Sequence, residues 1–251
     1  MIRAVAEMPR PFSQRRINIY MQSSKKTAIF AAFIMAAAFG LVGQARAQGP
    51  TLNEMMKRMD AHYKALSSLR ADVAMSKFNS QLKDTETVSG TAIYAPRKGK
   101  DALVRIDWKS PEESLAVIDK TYYIYRPRLQ QAYTGSTASQ KGNSKAAGAL
   151  SFMSMSRAQL RQNYDVTLLG QEEKLSDGTV TVHIKLTPKA KTSYQFAELW
   201  VDSDGMPRQS KIVEANNDAT TVLLTKLQKN GKIDANEFKI QIPKTVKVIK
   251  N

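Results

Sequence analysis

"TVTVHIKLT", residues 179–187, puts Val180, Val182, Ile184 and Leu186 on one side of an extended chain and Thr181, His183 and Lys185 on the other. A period of two held this long describes a strand with one face on a core. Asp177-Gly178 stands just before it, and Asp204-Gly205 and Asn230-Gly231 recur downstream, as tight hairpins require residues that accept positive φ. Runs at 195–202, 208–215 and 219–229 alternate in the same way, so this stretch is expected to be an antiparallel meander. Upstream the same period predicts strands near 69–79, 88–95, 102–108, 114–118, 121–126 and 164–169, and a last one at 246–249.

Helical spacing replaces that period in two places. Thr51-Leu-Asn-Glu54 is a capping-box pattern, and Leu52, Met55, Met59, His62, Tyr63 and Leu66 then recur as one apolar stripe. Between the two groups of strands lies a Gly/Ser/Thr/Lys loop, followed by short helices expected at Ala146–Met153 and Ser156–Asn163. No internal repeat and no second domain is visible. The fold class is mainly β: one open antiparallel sheet, with an N-terminal helix and inserted helices available to cover one face.

The N-terminus carries an export signal. Lys25-Lys26 precede an apolar run from Ala28 to Val42, and Ala45-Arg46-Ala47 supplies small residues where a signal peptidase reads. The run is shorter than a membrane span needs. Residues 1–47 are therefore expected to be an extension plus a cleaved signal, with Met21 as an alternative start, and 48–251 a single exported domain in the periplasm. With no cysteine, the chain has no disulfide, thiolate metal site or lipid-modified cysteine. The whole chain carries +16; residues 1–47 hold seven Lys/Arg and one Glu, which leaves 31 Lys/Arg against 21 Asp/Glu, or +10. Outside the cytoplasm such a charge points to an anionic membrane surface or an acidic partner rather than to nucleic acid.

Catalytic chemistry has little to work with. His62 lies on the helix stripe and is expected to be a packed, satisfied histidine; His183 is expected to be a solvated one on the polar side of its strand. Ser80-Gln-Leu-Lys83 matches S-x-x-K without its companion motifs, and Glu112-Glu113 and Glu172-Glu173 read as loop charges. No metal or cofactor motif is present, so neither is expected, and the chain is not read as an enzyme. What remains is apolar and soft: Met55, Met56 and Met59 on the helix, Met153 and Met155 in the insertion. Methionine suits surfaces that accept several apolar shapes.

Several blocks in order then point to a family. They are Trp108, Pro111-Glu-Glu-Ser114, Asp119-Lys120, the aromatic run Tyr122–Tyr125 with Pro127, "LTPK" (186–189), "LWVDSDGMPRQ" (199–209), and "NGKIDANEFKIQIPKTVKVI" (230–249) with Phe238, Pro243 and Val246. Together they resemble the LolA family of periplasmic lipoprotein carriers from about residue 52 to 249. The resemblance implies a half-closed β-barrel of about eleven strands, with helices as a lid over an apolar cavity. It also implies a carrier that takes acylated lipoproteins from an inner-membrane ABC-type exporter to an outer-membrane acceptor. Cavity and lid candidates are Leu52, Met55, Met59, Tyr63, Leu66, Ile93, Trp108, Tyr123, Tyr125, Met153, Leu199 and Val201. Family members use an Arg before a Pro to close the lid; here the order is Pro96-Arg97, which makes Arg97 the lid-closing candidate. Val73-Ala74-Met75 stands where Phe-x-Gln is common, and the Lys-rich insertion is longer, which suggests a divergent member with lipoprotein or other lipid cargo.

"TYYIYRPRLQQAY" (121–133) reads on this basis as a barrel strand. Tyr123 and Tyr125 share one face and Tyr122 and Ile124 the other; alternation alone does not choose between them. Arg126 and Arg128 are expected at the rim. The alternative to a carrier is a sensor or adaptor on the same fold that binds an envelope protein and regulates a membrane partner.

Overall fold

The computed structural model describes residues 50–97, 100–136 and 155–250. Helix α1 (Leu52–Ala65) begins where the Thr51 hydroxyl accepts from the Glu54 amide at 3.3 Å, and ends where the Leu66 amide donates to the His62 carbonyl. There follow β1 (Leu69–Asn79), β2 (Asp84–Arg97), β3 (Lys100–Lys109), β4 (Glu112–Ile118), β5 (Thr121–Arg126) and β6 (Gln131–Ser136). Helix α2 (Arg157–Asn163) is closed at its start by the reciprocal bonds of Ser156 and Gln159, as the capping-box pattern implies. Then come β7 (Tyr164–Lys174), β8 (Val180–Pro188), β9 (Tyr194–Asp202), β10 (Pro207–Glu214), β11 (Ala219–Lys229) and β12 (Lys247–Lys250). The helix expected at 146–153 lies outside the described residues.

All twelve strands form one open sheet in the order β12-β6-β5-β4-β3-β2-β1-β11-β10-β9-β8-β7. The chain lays β1 to β6 outward in one direction, then returns from the far edge, so that β11 pairs with β1. That seam sets Val73 opposite Leu224 and Met75 opposite Val222, joining both halves into one surface. Asp177-Gly178 and Asp204-Gly205 make the β7–β8 and β9–β10 hairpins, with Gly178 at φ +82° and Gly205 at φ +85°.

Three details differ from the sequence reading. Strand β6 was not expected, because Gln131–Ser136 is half Gly, Ser and Thr; it forms because β5 offers an edge, pairing Ile124 with Tyr133 and Arg126 with Gln131. Asn230-Gly231 is not a hairpin. Asn230, at φ +62°, accepts on its side-chain oxygen from both the amide and the hydroxyl of Ser67, and its own amide donates to the Ser68 carbonyl. This turns the chain off the sheet. The following segment crosses one face, with a 3₁₀ turn at Ala235–Phe238 against β3 and β4, and reaches β6 from the same end. Strand β12 is consequently parallel to β6, an arrangement that requires such a long crossover, and the sheet is mostly rather than wholly antiparallel.

Candidate functional site

Cross-strand partners share a face, so the register fixes which side chains meet. One row runs Tyr94, Val104, Val117 and Tyr122; the next runs Ala71, Ala92, Ile106, Leu115 and Ile124; Gly90 lies between Val73 and Trp108. Beyond the seam the same face continues through Val222, Ser210, Leu199 and Ile184, with Val201 opposite Val182 and Ala197 opposite Leu186. We call this the inner face. It carries two buried apolar clusters, one on β1–β5 with Leu224 and Met206, the other on β7–β9, and Ile212 packs against both.

Helix α1 lies on the second cluster. Met55, Met56 and Met59 are buried against Leu160, Ile184, Leu186, Leu199 and Val201. Burial of three methionines at about 1.5–3 kcal/mol each contributes roughly 5–9 kcal/mol, an upper value. Arg58 pairs with Glu54 and donates to the Ser203 carbonyl at 3.4 Å, holding the helix to the β9–β10 hairpin. The hairpin is itself built on Asp202, whose carboxylate accepts from the amides of Asp204 and Met206. Gly205 lets the two meet: a Cβ there would collide with the Arg58 carbonyl and lie 2.6 Å from the Met59 amide nitrogen. Beside α1 lies a cleft of about 430 Å³ of mixed lining, with Met55, Val180, Val182 and Val201 on its apolar side and Arg58, Arg208, Glu172 and Asp202 among its polar groups. Arg208 is held by Asp177 at 2.8 Å and donates to the Leu224 carbonyl.

The candidates divide between the two faces. Met55, Met59, Leu199 and Val201 come together under α1, and Leu52 packs at their margin. Trp108 is buried in the β1–β5 cluster, with Leu66 against it. Tyr63 is 38% exposed. Ile93, Tyr123 and Tyr125 lie on the opposite face, because Tyr94, Tyr122 and Ile124 take the inner positions of the same strands; only strand pairing resolves that alternation. Met153 lies outside the described residues. Arg97 pairs with Asp119 of the β4–β5 turn at 2.9 Å. Met56 is missing from the sequence candidates although it stands four residues after Leu52, a spacing that could have found it.

His62 is half-buried on α1, but its Nε2 finds no partner among the described residues, so it is packed without being satisfied. Burial first, and then the nearby Lys229 charge, hold its pKa below the usual histidine value. His183 is not solvated as expected. It stacks on Trp200 at 4.0 Å between ring centres, and Glu173 accepts from Trp200 Nε1 while lying 3.1 Å from His183 Nδ1. Ser80 belongs to the β1–β2 turn, where its hydroxyl donates to the Asn216 carbonyl. Tyr164 and Tyr194 share a hydroxyl–hydroxyl bond of 2.7 Å, and burial drives the Tyr194 phenol upward.

A second hollow, of about 470 Å³, lies on the outer face around Ile93. Its charges are matched within it, Arg70 to Glu237, Arg105 to Asp107 and Lys226 to Asp72, and Arg105 also donates to the carbonyls of Glu237 and Lys239. This hollow secures the C-terminal crossing; it does not suit an apolar chain. Among the described residues no group of His, Asp and Glu is arranged to hold a metal ion, and no helix is long and apolar enough to cross a membrane.

The family model for the outer membrane lipoprotein carrier protein LolA matches residues 67–241, well over half of the chain. The chain belongs to the LolA family. Its fold is that of an uncharacterised conserved protein from Thermus thermophilus, with 12% identity, a TM-score of 0.50, and coverage of 79% of this chain and 98% of that one. A putative outer membrane lipoprotein-sorting protein domain from Vibrio parahaemolyticus is similar at 13% identity, TM-score 0.42, covering 74% and 94%. A LolA superfamily protein from Nitrosomonas europaea matches at 13% identity, TM-score 0.38, covering 76% and 98%. No curated protein sequence matches the chain. The low identities mark this LolA-family chain as a divergent member.

Proposed function

We propose that this LolA-family chain is a periplasmic carrier, exported by the signal at residues 21–47, that shields the acyl chains of lipoproteins or related lipids. It receives them from an inner-membrane ABC-type exporter and delivers them to an outer-membrane acceptor. One observation carries the reading: the first apolar cluster of the inner face continues across the β1–β11 seam, Ile212 joins it to the second beside the buried Ser210, and a helix with three buried methionines is laid over that second cluster. An acyl chain of ~14 methylenes costs ~11 kcal/mol to expose to water, at about 0.8 kcal/mol per CH₂. The methionine seat of α1 is of the same order, so a chain that replaces those contacts can lift the helix without a large net cost. No nucleotide is needed in the carrier itself on this reading, since the exporter would supply the energy.

The test is native mass spectrometry of the protein recovered from a soluble envelope extract, with uptake of an apolar fluorophore. Adducts of acylated protein or of a triacylated peptide support lipoprotein carriage, and phospholipid adducts support lipid carriage. A bare protein that takes up no fluorophore refutes both. Replacing Leu66 by Asp, at the margin of the apolar face, should reduce uptake more than stability.

A further inference from the structure

We propose that the β12 edge of the sheet is a docking surface for an anionic lipid bilayer. Lys247–Lys250 pairs with Gln131–Thr134 there, Lys247 opposite Gln131 and Lys250 opposite Thr134. Segments 127–136 and 243–250, which lead into and form this pair, contain Arg128, Lys244, Lys247 and Lys250 and no acidic residue. Arg128, Lys244, Lys247 and Lys250 are exposed, and no ion pair among the described residues engages them. Arg126, one strand further in, is different: Glu113 at 2.6 Å and the Tyr133 ring occupy it.

Two large exposed apolar side chains belong to the same segments, and Val248 shares its face of β12 with Lys250 while Lys247 takes the other. Leu129, in the 3₁₀ turn Pro127–Leu129 that leads into β6, is 59% exposed, and Val248 in the middle of β12 is 50% exposed. Cations around exposed apolar side chains match a bilayer interface, where phosphates meet the charges and the apolar groups enter the acyl boundary. A protein strand is a poorer occupant of this edge. β12 is four residues long and lysine begins and ends it, the pattern by which sheets discourage strand addition. The matched charges of the outer hollow also leave this edge as the unbalanced part of the C-terminal crossing.

The inference rests on the carrier reading for its purpose, since a carrier must visit membranes, yet the two fail separately. Sedimentation with vesicles of phosphatidylglycerol and phosphatidylcholine tests it, with phosphatidylcholine alone as reference. Binding should require the anionic lipid and fall as salt rises from about 0.05 M to about 0.5 M, because the screening length shortens. Each lysine at the surface is worth about 1 kcal/mol, about fivefold, so K244Q/K247Q/K250Q should weaken binding about a hundredfold. Leu129→Ser with Val248→Ser should weaken it further at high salt. The control K57Q/K83Q/K191Q removes the same charge elsewhere and should change binding by only a few-fold. No binding to anionic vesicles, equal binding to neutral ones, or equal losses in the two lysine triples would overturn the proposal. Vesicle binding that persists in a protein without fluorophore uptake would sink the carrier reading and leave the docking edge standing.

Discussion

Replacing Gly205 by Ala tests whether α1 is seated on the β9–β10 hairpin in solution. Two costs are expected. At φ +85° an L-residue pays about 1–2 kcal/mol for the left-handed conformation. The new Cβ also meets the Arg58 carbonyl and lies 2.6 Å from the Met59 amide nitrogen, inside the ~3.5 Å of an ordinary contact. Both atoms are helix backbone, so α1 must move by roughly 1 Å, loosening the packing of Met55 and Met59. Overpacking of this kind costs about 1–3 kcal/mol. Gly178→Ala separates the two effects. Its φ is +82°, and nothing lies within 4 Å of a Cβ there, so only the backbone cost applies. In urea titrations with unchanged m-value, Gly205→Ala should be less stable than Gly178→Ala by about 1–3 kcal/mol. Hydrogen exchange of the α1 amides should quicken only in the former. Equal destabilisation of the two, within about 0.5 kcal/mol, with unchanged α1 exchange, would show that the helix does not rest on the hairpin.

Two further perturbations address separate parts of the fold. His62 has a lowered folded-state pKa, so below about 6.5 the open chain binds more protons than the closed one. Its contribution is present above the unfolded value and is lost as pH falls through the folded value, so acidification should lower the protection factors of the α1 amides, taken against the intrinsic exchange rate at each pH, and His62→Phe should remove that loss. Phe238, the buried side chain of the C-terminal crossing, should cost about 3–5 kcal/mol on replacement by Ala, read in urea, and should release the β12 edge first by hydrogen exchange. Simultaneous loss across the whole sheet would mean that the crossing has no independent stability.

The split between the two faces of β5 shows where sequence reasoning stops. Tyr122, Tyr123, Ile124 and Tyr125 are all of a kind that a core accepts, so alternation defines two pairs but ranks neither. The choice falls to register: Tyr122 is opposite Val117 and Ile124 opposite Leu115, both inner, while Tyr123 is opposite Ala116 on the side the C-terminal crossing covers. His183 teaches the same lesson on the polar side. Its strand neighbours are Thr and Lys, yet β9 sets Trp200 directly opposite, and a ring stacked on a ring is shielded whatever flanks it in sequence.

The sequence by itself determined what depends on near neighbours along the chain. Alternation defined most strands, Thr51 and Ser156 began the helices, and Asp-Gly placed two hairpins at residues able to take positive φ. Tertiary structure decided what depends on distant partners. Gln131–Ser136 becomes a strand only because β5 and β12 flank it, and Asn230 ends a hairpin pattern only because Ser67 and Ser68 bind it across the fold. The inner face likewise exists only once β11 pairs with β1, since the hydrogen bonds of that seam bring together two apolar surfaces separated by most of the chain.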